Sequence, residues 1–214
     1  MSGVLIGNEV LDAMPVQLLA RAGGAWFERG VAAGEAGFTW SDRPSSLRPP
    51  CDIEGDHDYL CEIHPQGEAF VRSLGQRLQR GLILLLDYGF GQDEYYHPQR
   101  HMGTVMCHRG HRSDMHPLAD VGLKDITAHV NFRGIASAGD ETGLELLGYA
   151  TQAHFLMNCG LVDLMQAAGA AQRNRAEKLI LEHEMGELFK VIALGRGLDE
   201  PLLGFARGDR SHRL

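Results

Sequence analysis

The sequence has no long apolar runs and no excess of basic residues, and each absence excludes a class of protein. No apolar run approaches the roughly 18 residues that a membrane span needs, so we expect no transmembrane helix and no membrane partner. No basic region followed by an apolar one opens the chain, so we expect no signal peptide. The formal net charge of -8 argues against a nucleic-acid partner, because a phosphate backbone attracts basic surfaces.

Cysteine is sparse, and sequence signatures of several enzyme classes are missing. The four cysteines, Cys51, Cys61, Cys107 and Cys159, are scattered and form no C-x-x-C pair. This pattern predicts reduced thiols in a cytoplasmic protein instead of a disulfide framework. There is no P-loop and no G-x-S-x-G segment, so nucleoside triphosphate hydrolysis and serine hydrolysis have no support.

What the chain does have is a short apolar run near its start that ends in polar side chains. Residues 4–6 predict a strand buried on both faces, and Asn8, Glu9 and Asp12 follow it directly. Ligands of open α/β sheets bind just outside the carboxyl ends of such strands. We therefore expect a binding site at this edge.

A second strand repeats the arrangement. Residues 82–86 are apolar and are followed by Asp87 and Tyr88, and an amphipathic helix over residues 64–80, ended by Gly81, precedes them. Strand, helix and strand form a βαβ unit, whose two strands are parallel and end at the same edge. The polar residues of both ends should then face one crevice: Asn8, Glu9, Asp12, Asp87 and Tyr88.

The other predicted elements complete an α/β chain of 214 residues, interpreted as one domain over residues 1–214 with insertion-like regions at about 25–60 and 91–132. The remaining elements are helical turns within 9–19, a hairpin of 25–31 and 37–41, a strand at 104–107, a strand at 144–150, helices at 152–168 and 173–184, and a strand at 189–197 with a tail that pairs with it. Residues 125–132 are either a half-buried strand or the lead into a following helix.

Five segments, in order along the chain, resemble the MidA family of S-adenosylmethionine-dependent methyltransferases. They are N-E-V-L-D-A-M-P-V at 8–16, L-D-Y-G at 86–89, E-Y-Y-H-P-Q-R at 94–100, D-I-T-A-H-V at 125–130 and M-G-E-L-F-K-V at 185–191. Each segment alone is a weak signal, but five in order across almost the whole chain are specific. The resemblance implies a Rossmann-like class I methyltransferase sheet, with later parallel strands and an antiparallel C-terminal edge.

The resemblance also implies a chemistry. The cofactor would be S-adenosylmethionine, and the partner a protein substrate with a target arginine, as for the mitochondrial family member that serves respiratory complex I assembly. Glu9 and Asp12 would be the catalytic carboxylates, since a guanidinium pairs bidentately with a carboxylate. Two structural alternatives stay open: Asp12 could cap a helix, and Glu9 could be a solvated rim residue.

Further site residues follow from the resemblance. Asn8, Asp87 and Tyr88 would bind the cofactor, although Asn8 could instead satisfy the strand end and Tyr88 could belong to the core. The implied substrate-binding residues are Tyr95, Tyr96, Asp125 and His129.

One expected part of such an enzyme is missing from the sequence. Methyltransferases of this class hold the cofactor with a Gly-rich loop after their first strand, and no E-x-G-x-G-type loop precedes Val4. We therefore interpret the chain as the C-terminal part of a methyltransferase, with much of its cofactor site absent. The alternative is a non-catalytic binding or assembly module. An exposed sheet edge beside residues 4–6 predicts self-association.

Histidines in the long polar segment invite a metal site, which we reject. They are His97, His101, His108, His111 and His116. Arg100, Arg109 and Arg112 lie among them and would repel a cation, and a loop does not hold ligands in fixed geometry. A positive surface loop is the better interpretation.

Overall fold

The computed structural model describes residues 1–35, 37–110 and 112–214, whose strands form three sheets. The strands are β1 (Ser2–Asn8), β2 (Gln17–Ala22), β3 (Ala25–Gly34), β4 (Gly37–Pro44), β5 (Tyr59–Ile63), β6 (Arg80–Phe90), β7 (Met106–Arg109), β8 (Arg112–Asp114), β9 (Asp125–Thr127), β10 (Val130–Asn131), β11 (Glu145–Thr151) and β12 (Phe189–Arg196). The helices are α1 (Pro65–Arg77), α2 (Gln92–Tyr95), α3 (Phe132–Asp140), α4 (Gln152–Asn158), α5 (Leu161–Ala167) and α6 (Ala170–Ile180).

The main sheet has five strands and contains both parallel and antiparallel pairs. Its order is β1-β6-β12-β11, and the short β10 pairs with the end of β6. β1 and β10 run parallel to β6, whereas β12 is antiparallel to both β6 and β11. The predicted α/β class, with parallel strands and an antiparallel C-terminal edge, is confirmed.

Apolar side chains cover both faces of this sheet. On one face the helices α1 and α3 contribute Val71, Phe132 and Ile135 to a cluster with Ile83 and Ile192 of the strands. A second cluster contains Val191 and Phe205, with Phe155 packed against it. Burial on both faces explains why β6 and β12 are almost continuously apolar.

The first strand is less covered than its sequence suggests. Val4 and Ile6 are 64% and 70% exposed, so the prediction of burial on both faces is wrong. Among the described residues, β1 is hydrogen-bonded to β6 alone and its other edge is open, as predicted. The same pairing brings the backbones close together, because a Cβ on Gly81 would lie 1.9 Å from the carbonyl oxygen of Gly3. Gly81 lies within β6 and does not end the helix, because α1 already ends at Arg77.

Several predicted helices are absent from the structure or shorter than predicted. Residues 9–19 form a turn and the start of β2 instead of helical turns. Residues 152–168 are two helices, because Gly160 adopts a φ of 88° between them, and Leu164 is 67% exposed. The second helix spans Ala170–Ile180 instead of 173–184. The tail after β12 forms short 3-10 turns and adds no strand to the sheet in the described chain.

Two smaller sheets lie in and next to the regions predicted as insertions. The hairpin β3–β4 is confirmed, but it belongs to a four-stranded sheet, β4-β3-β2-β5, of which β2 and β5 were not predicted. The long polar segment contains α2, β7 and β8, and β7 also pairs with β9. The single-domain interpretation stays a prediction. No helix of the described residues has the length and apolar character to cross a bilayer.

Candidate functional site

The turn after β1 is fixed by a buried carboxylate from β6. Asp87 is 1% exposed, and its Oδ2 accepts hydrogen bonds from the backbone N–H groups of Val10, Leu11 and Asp12, at 3.2, 2.9 and 3.2 Å. Its Oδ1 accepts from the backbone N–H of Tyr88 at 3.0 Å. Successive N–H groups that converge on one anion form a nest, which explains why this segment is not helical.

Opposing effects act on the Asp87 carboxyl. Burial and the nearby charge of Asp12 raise its pKa to about 7, while the backbone N–H groups oppose that rise. Its oxygens are occupied by the protein's own backbone. Asp87 therefore anchors the turn, and the structure does not expose it for a cofactor.

The anchored turn places Asp12 against Tyr88. The Tyr88 hydroxyl donates to Asp12 Oδ2 at 2.5 Å. Burial, followed by this hydrogen bond, raises the pKa of Tyr88. Asp12 is 4% exposed and does not cap a helix, so that structural alternative is wrong.

A pocket of about 340 Å³ opens where β1 and β6 end, and we call it the strand-end pocket. It is lined by Glu9, Asp12, Tyr88, Met106, His108, Ser113, Asp125, Thr127, His129 and Leu188. Five predicted site residues thus meet in one place: Glu9, Asp12, Tyr88, Asp125 and His129. The lining contains three carboxylates and neither lysine nor arginine, so the pocket favours a cation.

Glu9 forms the exposed rim of this pocket. It adopts a φ of 50°, which is uncommon for a residue with a side chain. Its backbone N–H donates to the carbonyl oxygen of Leu86 at 2.9 Å, and its Oε1 accepts from Asn8 Nδ2 at 3.1 Å. Asn8 itself is exposed and does not line the pocket.

His129 supplies a neutral ring to the wall of the same pocket. Its ring packs edge-on against those of Tyr88 and Phe90, each at 5.2 Å between centroids. Burial, followed by the charges of Arg100 and Lys190, lowers the pKa of His129 to about 4. At neutral pH the ring is therefore uncharged and offers one donor and one acceptor.

Three buried polar atoms of residues that line the strand-end pocket have no hydrogen-bond partner in the described chain. They are Asp12 Oδ1, Thr127 Oγ1 and His129 Nδ1. Buried polar groups are normally paired, and leaving one unpaired costs about 1–3 kcal/mol. Three such atoms in one pocket indicate a place for a polar ligand.

Tyr95 and Tyr96 are not brought to this pocket. They are 1% and 4% exposed and lie in the core beside the four-stranded sheet. The Tyr95 hydroxyl donates to Glu62 Oε2 at 3.1 Å, and the Tyr96 hydroxyl donates to the carbonyl oxygen of Glu62 at 2.9 Å. Both hydroxyls are satisfied inside the protein, which leaves no group to offer a substrate.

Glu62 connects that core to the pocket. It is fully buried, and its carboxylate accepts from the Thr104 backbone N–H at 2.8 Å and the Thr104 hydroxyl at 3.1 Å. The Thr104 oxygen in turn accepts from the backbone N–H of His129 at 3.1 Å. Burial raises the pKa of Glu62 against these hydrogen bonds. Tyr95 therefore acts through Glu62 and Thr104 in positioning His129.

Thr127 is a site residue that the sequence interpretation missed. Polar and apolar residues alternate from 125 to 129. In an extended segment, every second side chain points to the same side. Asp125, Thr127 and His129 all line the pocket. The alternation was visible in the sequence, and extending it from Asp125 and His129 to Thr127 would have found the residue.

No group of three or more potential metal ligands exists among residues 1–35, 37–110 and 112–214. His111, one of the histidines considered for a metal, lies outside the described residues. His108 lines the strand-end pocket beside Ser113.

Comparison with known protein families identifies the family of this chain. A family model described as "Putative S-adenosyl-L-methionine-dependent methyltransferase" matches residues 1–150. The chain belongs to this family. The resemblance predicted from the five segments is thereby confirmed, and the match contains every residue that lines the strand-end pocket except Leu188.

Relatives of the chain include solved structures from Burkholderia thailandensis. One, described as a "likely methyl transferase" bound to S-adenosyl-homocysteine, is 47% identical, with a TM-score of 0.95 over 100% of this chain and 58% of that one. A native structure of an uncharacterized protein of the same superfamily is 48% identical, with a TM-score of 0.94 over 100% of this chain and 60% of that one.

A curated relative is the mitochondrial protein arginine methyltransferase NDUFAF7 homolog of Caenorhabditis elegans. It is 28% identical over 89% of this chain and 47% of its own length. The chain thus spans about half the length of this curated relative.

Proposed function

We propose that the chain acts as an S-adenosylmethionine-dependent methyltransferase on protein arginine, with the strand-end pocket as its substrate site. The observation that carries the proposal is the set of three unpartnered buried atoms in an acidic pocket at the strand ends. Family membership supports methyl transfer, and the C. elegans relative supports arginine as the acceptor.

The geometry of the strand-end pocket suits a guanidinium group. A guanidinium carries a positive charge and five N–H donors in a plane, and it pairs best with carboxylates. Asp12 Oδ1 and Thr127 Oγ1 are free acceptors, and Glu9 stands at the rim. Asp12 and Glu9 would orient the guanidinium, and the neutral His129 would accept a hydrogen bond from it through Nδ1.

The fit of the chain to the cofactor is partial. Bound S-adenosylmethionine would supply an electrophilic methyl group on sulfur. Asn8 is the predicted cofactor-binding residue that lies exposed at the end of β1, where it could meet the cofactor. Asp87 and Tyr88 were predicted to bind it as well, but their polar atoms are bonded to the backbone and to Asp12.

A second candidate function is a binding or complex-assembly module that uses the strand-end pocket without catalysis. Both candidates use the strand-end pocket for an arginine side chain, so peptide binding alone does not separate them. They differ in what else the chain must do: the methyltransferase must bind cofactor and transfer a methyl group, and the module need do neither.

Calorimetric titration with S-adenosyl-homocysteine and a radiolabel assay with S-adenosylmethionine separate the two candidates. The methyltransferase predicts saturable binding and label on arginine residues of a polypeptide acceptor. It also predicts that Glu9→Gln abolishes label transfer while the affinity for S-adenosyl-homocysteine is kept. If peptide binds while neither cofactor binding nor label is found, the module is the function of this chain. Label on lysine alone would overturn the assignment of arginine.

A further inference from the structure

A second and larger pocket, of about 640 Å³, lies where β6 ends and β12 begins, and we call it the basic pocket. Its walls come from the start of α2, the start of α3, β11, the start of β12 and the last residues of the chain. It shares no lining residue with the strand-end pocket. It is therefore a separate site with its own chemistry.

Basic side chains outnumber acidic ones in its wall. Arg133, Lys190, Arg210 and Arg213 line the basic pocket, against the carboxylates of Asp93 and Glu94. Leu214 also lines it, and its α-carboxylate makes no ion pair with a described residue. Counting that carboxylate, the wall still carries a net positive charge, before His212 is considered.

Ion pairs use only part of this charge. Arg210 is paired with Glu187 at 2.6 Å, and Glu94 lies 3.9 Å from Arg100, outside the pocket. The guanidinium groups of Arg133 and Arg213 make neither an ion pair nor a side-chain hydrogen bond within the described chain. Two guanidinium groups in the wall are thus free to bind an anion.

Lys190 adds a buried charge without a counter-ion. The residue is 5% exposed, and its ammonium donates to the carbonyl oxygens of Glu187 and Leu188. No described carboxylate lies within 4.0 Å of it, and burial lowers its pKa. A buried ammonium is costly unless an anion compensates it, so an anionic ligand would be stabilising here.

Tyr149 provides a neutral donor in the same wall. It is 2% exposed, and its hydroxyl makes no hydrogen bond to a described residue. Two guanidinium groups, an ammonium and a hydroxyl in one wall are the donor set that recognises an oxyanion.

We propose that the basic pocket binds a small molecule that carries a phosphate or carboxylate group. Arginine pairs bidentately with either group, and lysine adds a point charge. The volume of about 640 Å³ exceeds what a bare anion needs and lies within the range of roughly 300–1,000 Å³ that is typical of small-molecule sites. The ligand therefore has an organic part beside its anionic group.

Isothermal titration of the 214-residue chain at constant ionic strength tests this proposal, with inorganic phosphate and succinate as separate probes. We expect saturable binding of at least one probe: phosphate alone identifies a phosphorylated ligand, and succinate alone a carboxylate ligand. Arg133→Gln and Arg213→Gln should each weaken binding about tenfold, which equals about 1.4 kcal/mol. Arg133 and Arg213 are exposed, so neither substitution should affect folding. Circular dichroism of each variant checks this.

Arg175→Gln is the matched control, because Arg175 is an exposed arginine of α6 that does not line the basic pocket. Its affinity for the probe should equal that of the wild type. The proposal is overturned if neither probe binds saturably, or if the three variants lose affinity equally, since a general charge effect would then explain the binding.

Discussion

At the scale of the residue, the strand-end pocket depends on one carboxylate that does not line it. Asp87 receives four backbone N–H groups and so fixes the turn that carries Asp12. An asparagine in its place would have one acceptor oxygen and would direct an NH₂ group at backbone donors.

We therefore expect Asp87→Asn to lower the free energy of unfolding by about 2 kcal/mol, which is typical of losing hydrogen bonds to a charged group. Urea unfolding at pH 8, above the pKa of about 7, measures it with the carboxyl ionised. Asp199→Asn, at an exposed position without a hydrogen bond, is the control. Equal stability of the two variants would remove the anchoring role.

His64 should make the stability depend on pH. It is 4% exposed, its Nε2 lies 3.0 Å from the Tyr95 hydroxyl, and burial lowers its pKa from 6.5 to about 4. Because the folded-state pKa is depressed, this contribution is complete above pH 6.5 and is lost as the pH falls toward 4. Its full size is about 3 kcal/mol.

Unfolding of the wild type and of His64→Gln between pH 7 and pH 4.5 checks this contribution. The wild type should lose about 2–3 kcal/mol more than the variant over that interval. Comparing the two proteins cancels the opposite dependence of Asp87, whose raised pKa costs stability as the pH rises through 7. The exposed control His116→Gln should show the same pH dependence as the wild type. If the stability of His64→Gln also changed with pH as that of the wild type does, His64 would not be the group responsible.

At the scale of the element, β10 holds the segment with Thr127 and His129 against β6. The pairing requires Gly89, because a Cβ there would lie 2.1 Å from the carbonyl oxygen of Val130. Any larger residue must separate the two strands.

Gly89→Ala should therefore destabilise the fold by about 2 kcal/mol or more, by forced separation of packed backbone. It should also weaken arginine-peptide binding, since the displaced strand leads directly from His129. Thermal unfolding and peptide titration measure the two effects. Gly30→Ala is the matched control. Gly30 lies within β3, and a Cβ there would be 3.8 Å from its nearest neighbour, the carbonyl oxygen of Ser41, so stability and peptide affinity should stay near those of the wild type. A stable Gly89→Ala with normal affinity would show that β10 does not position the site.

Elements with a local signal were predictable from sequence, and those that depend on distant partners were not. β6 and β12 are apolar because both of their faces are buried, and α1 repeats its apolar residues at helical spacing. The turn after β1 was mistaken for helix because its conformation is set by Asp87, more than 70 residues away. The helix break at Gly160 was missed because one glycine in an amphipathic pattern is often tolerated.

The site residues divide in the same way. Glu9, Asp12, Tyr88, Asp125 and His129 were predicted, and they meet in the strand-end pocket because they end strands or follow them. Tyr95 and Tyr96 share the polar character of a binding segment, but their hydroxyls are used by Glu62, a residue on an unpredicted strand. Whether a polar side chain faces a ligand or the core is decided by such partners.

At the scale of the whole molecule, the open edge of β1 is the main feature. Val4 and Ile6 are exposed on a strand that has a neighbour on one side alone within the part of the chain that the structure describes. Unpaired edges with apolar side chains promote pairing between chains.

We expect the chain to associate as its concentration rises, and Ile6→Lys to reduce this association by placing a charge on the edge strand. Sedimentation velocity over a concentration series measures it. Val31→Lys removes an exposed valine from β3, which has neighbours on both sides, and should leave association unchanged. A wild type that stays monomeric at all concentrations, or equal effects of the two variants, would contradict pairing through β1.

The central claim is that the strand-end pocket recognises a guanidinium group through Asp12, and calorimetry with paired peptides tests it most directly. One peptide contains arginine, and the other contains citrulline, which has nearly the same shape without the charge. The wild type should bind the arginine peptide at least about tenfold more tightly, a difference of about 1.4 kcal/mol, and Asp12→Asn should remove the preference. Equal affinity for both peptides in the wild type, or an unchanged preference in Asp12→Asn, would contradict the claim.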